Sequence, residues 1–344
     1  MKRLLQVTGL VLLFLCTNCK TTQNLISEHK PEASFTIAFG SCNKHNVHND
    51  LWDDVLATHP DVWIWGGDIV YADTDNAGKI AEMYHLQKKV EGYRSLTETI
   101  PVIGTWDDHD YGLNDGGSEF VSKKESQQVF LDFMGVPSDS PRRQQEGVYS
   151  SYDYSLPAGS VKILVLDTRY FRSPLTRSTE KGKRFMPGKY GEGTILGEAQ
   201  WKWLEEELGA SEADFTILVS SVQFLSNQHG FECWGNFPHE VDKLKGLVAS
   251  SKAKGVIILS GDRHISEFSA ERLPGVSYPL IDFTSSGLTH VYSSYSGEPN
   301  PYRIGEVIAK KSFGLLKLDL VKRTVVFEMI GNNSEILNTL TQQY

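Results

Sequence analysis

Apolar residues in this chain arrive mostly in short unbroken runs rather than in long stripes. Runs at 35–38, 63–66, 103–106, 162–166, 215–219 and 256–259 are apolar or β-branched and are bounded by glycine and polar clusters. Such runs predict strands buried on both faces. Between them, 49–58, 123–133, 198–208 and 240–250 carry helical patterns. In the third, Trp201, Leu204 and Leu208 recur at i, i+3 and i+7, one face of a helix resting on a sheet. Near the end, 315–320 and 324–329 flank Val321-Lys322-Arg323 with polar residues alternating, which predicts an antiparallel hairpin. Residues 173–194, rich in Ser, Thr, Lys and Gly, form a long polar loop between a strand and a helix. Loops of that length in a compact domain are often functional. Its basic residues Arg177, Lys181, Lys183, Arg184 and Lys189 either rim a site or face solvent. Strands alternating with helices point to an α/β fold.

The chemistry sits where the strands stop. Trp63-Ile64-Trp65 runs through Gly66-Gly67 into Asp68, with Tyr71 three residues on. Residues 35–38 lead into Phe39-Gly40-Ser41-Cys42-Asn43, 103–106 into Asp107-Asp108-His109-Asp110, and 256–259 into Ser260-Gly261-Asp262-Arg263-His264. Open α/β sheets keep ligands at the carboxyl ends of their strands. A buried carboxylate is costly unless it is paired, hydrogen-bonded or coordinated, so several converging there argue for a cation.

The combination FGSCN, GGDIVYAD, WDDHD, LDTRYFR, SSVQF, WGNFP and SGDRH, in that order from about Ser34 to about Met329, resembles the alkaline phosphatase D (PhoD-type) family of the metallophosphoesterase superfamily. Asp68 to Tyr71 is similar to the GD-x-x-Y of purple acid phosphatases. The resemblance implies a four-layer α/β/β/α sandwich, two mixed sheets packed face to face with helices outside. It further implies a dinuclear centre in which Cys42, Asp68, Tyr71 and His264 hold a ferric-type ion. Thiolate and phenolate suit a trivalent redox metal. Asp68 would bridge to a second ion held with Asp108 and Asp262, whose oxygen ligands suit calcium or magnesium. His109 would serve as general acid or as a donor to the phosphoryl group, with Asp110 orienting its imidazole. Arg169 and Asn43 would contact substrate, although Arg169 bracing its own loop through Asp167 is an equal reading. His290 is read as a loop residue that either lines the site or serves structure, and Asp107 as an outer partner of the ligands. The superfamily histidine expected after 215–219 is missing; Ser220-Ser221-Val222-Gln223 stands there, leaving water or Gln223 for that position. Metal-activated water attacking a phosphate monoester or diester is the implied reaction.

Composition narrows the partners. The 344 residues carry a net charge of −9, or −11 without Lys2 and Arg3. No basic run with interleaved aromatics is present, which argues against nucleic acid and for small phosphate esters or phosphodiesters. Lys2-Arg3, an apolar 10–15 and Cys16 and Cys19 resemble a bacterial lipoprotein signal. The expected organisation is a signal at 1–18, a tether at 19–32 and one domain at 33–344. The protein is then expected to be exported to the cell envelope, lipid-anchored through Cys19, otherwise secreted or periplasmic, and monomeric. A Cys42–Cys233 disulfide competes with Cys42 as a ligand. The rival function is a non-catalytic surface-binding protein on a degenerate metallophosphatase fold. A simple calcium-binding module is disfavoured by the lack of a D-x-[DN]-x-[DN]-G loop.

Overall fold

A computed structural model describes residues 33–344. The leader, the tether and Cys19 lie outside the described residues. The strands are β1 (Ser34–Gly40), β2 (Val62–Gly66), β3 (Val102–Thr105), β4 (Ser150–Leu156), β5 (Gly159–Val165), β6 (Phe215–Val219), β7 (Val256–Ser260), β8 (Ser266–Arg272), β9 (Pro279–Ser285), β10 (Arg303–Ile308), β11 (Phe313–Asp319), β12 (Thr324–Ile330) and β13 (Ile336–Gln343). The helices are α1 (Leu51–Ala57), α2 (Ala77–Lys89), α3 (Glu91–Thr99), α4 (Asp108–Tyr111), α5 (Lys123–Phe133), α6 (Gly197–Ala210) and α7 (Pro238–Ser250).

The strands form two mixed sheets, one ordered β13-β12-β11-β1-β2-β3 and the other β10-β8-β9-β7-β6-β5-β4. Side chains alternate across a strand, so a run that is apolar throughout needs a cover on each side. In β2, Val62 and Ile64 enter the core between the sheets, while Trp63 and Trp65 face outward onto α1 and α3. In β7, Ile257 and Leu259 point between the sheets, and Val256 and Ile258 join the layer formed with α6 and α7. Three apolar cores therefore separate four layers, the expected α/β/β/α arrangement. The hairpin forms as β11 and β12, paired from Phe313↔Ile330 to Asp319↔Thr324.

β1, β2 and β3 run parallel in one sheet, and β5, β6, β7 and β9 run parallel in the other. The turns after these strands are thus gathered at the same end of the sandwich. Two glycines let them approach. A Cβ on Gly67 would lie 2.5 Å from the Asp107 Cβ, and one on Gly261 would lie 2.6 Å from both the Gly66 oxygen and the Ser41 Oγ.

Candidate metal centre

Cys42, two residues past β1, takes a left-handed conformation with φ 59°. Asp68 (φ 51°), Asp262 (φ 68°) and His264 (φ 54°) do the same. Positive φ is disfavoured for residues with a Cβ by about 1–2 kcal/mol. Strain of this kind gathers at functional sites when the surrounding structure holds it in place. Here each strained turn carries a donor atom to a common point.

The Cys42 Sγ lies 3.4 Å from the Asp68 Oδ2 and 3.0 Å from the Ser286 Oγ. The Tyr71 hydroxyl donates to the Asp68 Oδ2 at 3.1 Å and stands 3.2 Å from the His264 Nε2. Asp108 opens α4, and its Oδ2 accepts from the Asn114 Nδ2 at 2.8 Å and from the Asp115 N–H at 2.6 Å. Among the described residues, three groups have donor atoms within 4.8 Å of one another: Cys42, Asp68 and His264; Asp68, Asp108 and His109; and Asp107, Asp108 and Asp262. Asp68 belongs to the first two and Asp108 to the last two, so the groups form one continuous chain of ligands. With Tyr71 bonded to Asp68 and His264, the structure brings together all six expected ligand positions.

The electrostatics point the same way. Burial first, then Cys42 and Asp108, pushes the Asp68 carboxyl well above the usual range. Burial raises Asp262 to about 7 and the Cys42 thiol to about 12. Burial also acts upward on Asp108, yet Arg169, His109 and its two hydrogen bonds bring it down to about 2. Asp68 Oδ1, Asp107 Oδ2 and Asp108 Oδ1 are buried without a hydrogen-bond partner. Buried acceptors left unpaired are expensive, and a thiol, a phenol, imidazoles and carboxylates are the donor set of a transition-metal and hard-cation pair. The residues present fit a metal centre.

Other expectations are corrected. Asp110 does not orient His109. Its carboxylate accepts from the Asp107 N–H (2.6 Å), the Ile69 N–H (3.1 Å) and the Tyr84 hydroxyl (3.2 Å), because the next residue of a helical turn points to another side. The His109 Nδ1 instead meets the Asp73 Oδ1 at 2.7 Å. Arg169 does not reach substrate. It is fully buried, with Nε donating to Asp107 at 2.5 Å and Nη1 to Glu232 at 2.6 Å. Asp167 braces the loop through the Arg169 and Tyr170 backbone N–H groups rather than through that guanidinium. Asn43 is equally occupied, donating to the Ile69 carbonyl and the Gln87 Oε1, which fixes the turn that carries Asp68. Gln223 turns away from the ligands toward Glu267 and Thr284, and Ser221 instead donates to Asp107 at 2.6 Å. Cys42 and Cys233 are both free thiols, so no disulfide competes. His290 stands beside the site, its ring 4.4 Å from that of His264 and 5.0 Å from that of Tyr71.

A cleft of about 420 Å³ opens over Asp108, His109, Asp262 and His264. Arg184, Phe231, Glu232, Arg263 and Tyr292 are among its other walls. Of these five, the sequence pointed only to Arg184, as a basic residue of the long loop that either rims a site or faces solvent. Arg263 also carried a signal, standing between the two ligands of SGDRH.

Comparison with known proteins agrees with this geometry. The sequence profile of the PhoD-like phosphatases matches residues 37–286. Alkaline phosphatase D of Bacillus subtilis (strain 168) is 21% identical over 301 residues, covering 73% of this chain and 51% of that protein. The chain thus spans about half the length of the curated relative it matches. A solved structure of PhoD superposes with a TM-score of 0.69 at 17% identity, over 90% of this chain and 68% of the other. GAP50, described as the anchor in the inner membrane complex of Plasmodium, gives 0.58 at 12% identity, over 90% and 89%.

Proposed function

The chain belongs to the PhoD-like phosphatase family, and on that premise we propose that it is an exported, metal-dependent phosphoesterase that hydrolyses phosphate monoesters, diesters or both. The observation that carries this reading is the continuous run of ligand groups joined through Asp68 and Asp108, with buried carboxylate oxygens that lack any partner. Cys42, Asp68, Tyr71 and His264 would hold the ferric-type ion. Asp108 and Asp262 would hold a divalent one, calcium or magnesium, with Asp68 between the two. When bound, such a pair stabilises charge on phosphoryl oxygens and supplies hydroxide at neutral pH. His109 then delivers a proton to the leaving oxygen, and Asp73 holds its imidazole at the cleft. Asp107 and Arg169 keep the ligand turns in place behind the site. Export and a lipid anchor through Cys19 follow the signal-like start of the sequence.

The protein is to be purified without chelator, its metals measured and its visible spectrum recorded. About one iron per chain and a charge-transfer band that Tyr71→Phe removes are expected. Asp68→Asn should abolish ester hydrolysis while leaving the unfolding midpoint near that of the wild type. Full activity in Asp68→Asn, or protein free of metal in every preparation, would refute the reading and favour a surface-binding protein on this fold.

A further inference from the structure

The ring of Tyr71 is enclosed by three basic side chains. It lies 4.1 Å from the ring of His109, centre to centre, at an angle of 31°, and 5.0 Å from that of His290 at 71°. The Lys44 Nζ stands 5.0 Å from the centre of the same ring. The hydroxyl end is committed to the ligand cluster through Asp68 and His264. Lys44 is placed there by its own backbone. The Leu288 and Thr289 N–H groups donate to the Ser41 and Cys42 carbonyls, at 3.2 and 3.3 Å, and the Lys44 N–H donates to the Thr289 Oγ1 at 2.8 Å. The His290 Nδ1 meets the same Oγ1 at 3.0 Å. The turns after β1 and β9 are thus laced together beside Tyr71.

The cluster that Tyr71 joins is rich in carboxylates, yet the half-buried Lys44 ammonium is paired with none of them. Among the described residues its Nζ meets only the Tyr71 ring. A cation against an aromatic ring is attracted by the ring's quadrupole. The attraction grows when the phenol binds as phenolate, because the ring then carries net charge. It also lowers the energy of the ring's electrons, so that less density passes through the oxygen to a bound ion. A charge that acts on the ring adjusts the ligand without taking a coordination position, as outer partners of metal ligands do.

We propose that Lys44 is a positioning residue that acts through Tyr71: its charge retains electron density on the phenolate ring and so sets the colour and the reduction potential of the centre. The inference rests on the ferric reading of Tyr71. The metal-loaded full chain is compared with Lys44→Met and Lys44→Gln, which remove the charge, and with Lys44→Arg, which keeps it. Iron content, the visible band and the midpoint of reductive bleaching are measured, and melting temperatures show which variants are folded. In Lys44→Met and Lys44→Gln the band should move to longer wavelength by roughly 5–20 nm, because a cation–π contact is a small fraction of the energy of a visible photon. Their midpoint potentials should become more negative, because a nearby positive charge favours a divalent over a trivalent ion. Lys44→Arg should keep both properties near those of the wild type, and iron content should be the same in all four proteins. A band that stays in place in the neutral variants, or moves equally in Lys44→Arg, overturns the inference while the ferric reading stands. Iron lost from the neutral variants overturns it as well, since Lys44 would then hold the ligand turn and not act through the ring. A wild-type protein without a charge-transfer band ends the ferric reading of Tyr71, and this inference falls with it.

Discussion

His109 meets the cleft with its Nδ1 2.7 Å from the Asp73 carboxylate. Burial opposes its charge, but that hydrogen bond and the Asp68 and Asp108 carboxylates raise its pKa to about 10. A general acid works in its protonated form, so its activity falls as pH rises through its pKa. Asp73→Asn removes one source of the increase, and the alkaline limb of the kcat/KM profile should move to lower pH. Turnover should fall by about 10–100-fold with metal content unchanged, the size of effect seen for partners of metal-site residues. A profile that stays in place would mean that His109 is not the acid. The same residues show what a motif can and cannot convey. Cys42, Asp68, Tyr71, Asp108, Asp262 and His264 were legible because each is a donor that follows an apolar run and a small or glycine-rich turn. Asp110, Arg169 and Asn43 have the right types in the right places, yet side-chain direction and competing buried partners decided their roles. Asp73 closes the GGDIVYAD motif, but its pairing to His109, 36 positions on, could not be read from it.

Arg169 belongs to the scale of elements. It leaves the end of β5 and joins Asp107, past β3, to Glu232, past β6, and Glu232 in turn lies 2.8 Å from the Arg172 Nε. Three loops are thus tied by ion pairs with almost no exposure to water. Removing one member of such a group leaves charge buried and uncompensated, at a cost of about 3–5 kcal/mol. Arg169→Met, similar in size, should lower stability by that amount in urea titrations and should reduce metal retention, because the turn that carries Asp107 and Asp108 loses the ion pair that braces it. Adding Glu232→Gln to Arg169→Met should recover part of the loss; no recovery would show that packing, not charge, is what the variant disturbs. Among the elements, strands with two buried faces were readable from their apolar runs. α2 buries only Ile80, Tyr84 and Gln87, and α3 only Tyr93 and Leu96, too sparse a stripe to mark a helix. β13 alternates half-buried with exposed side chains and is mostly polar, so its place at a sheet edge comes from pairing with β12 rather than from its own pattern.

For the whole molecule, the layer order came from resemblance, since a run buried on both faces does not say which face meets a sheet and which meets a helix. What the folded chain adds is a store of opposed charge. Burial raises Asp68 and Asp107 well above the carboxylate range, and raises Asp110 and Asp262 to about 7. A carboxyl with a raised folded-state pKa holds its proton more tightly when folded. Its contribution to stability is full below the unfolded pKa near 4 and is lost as pH rises through the folded value. The metal-free protein should therefore lose stability between about pH 4 and pH 8. Metal ions compensate the ionised carboxylates, so the loaded protein should be nearly flat over that range. Melting temperatures with and without chelator should lie close together at pH 5 and separate by roughly 5–10 °C at pH 8. A gap that is the same at both values would mean that these aspartates are not what the cations neutralise. The sandwich would then be stable on its cores alone, with the ligand cluster contributing no pH dependence.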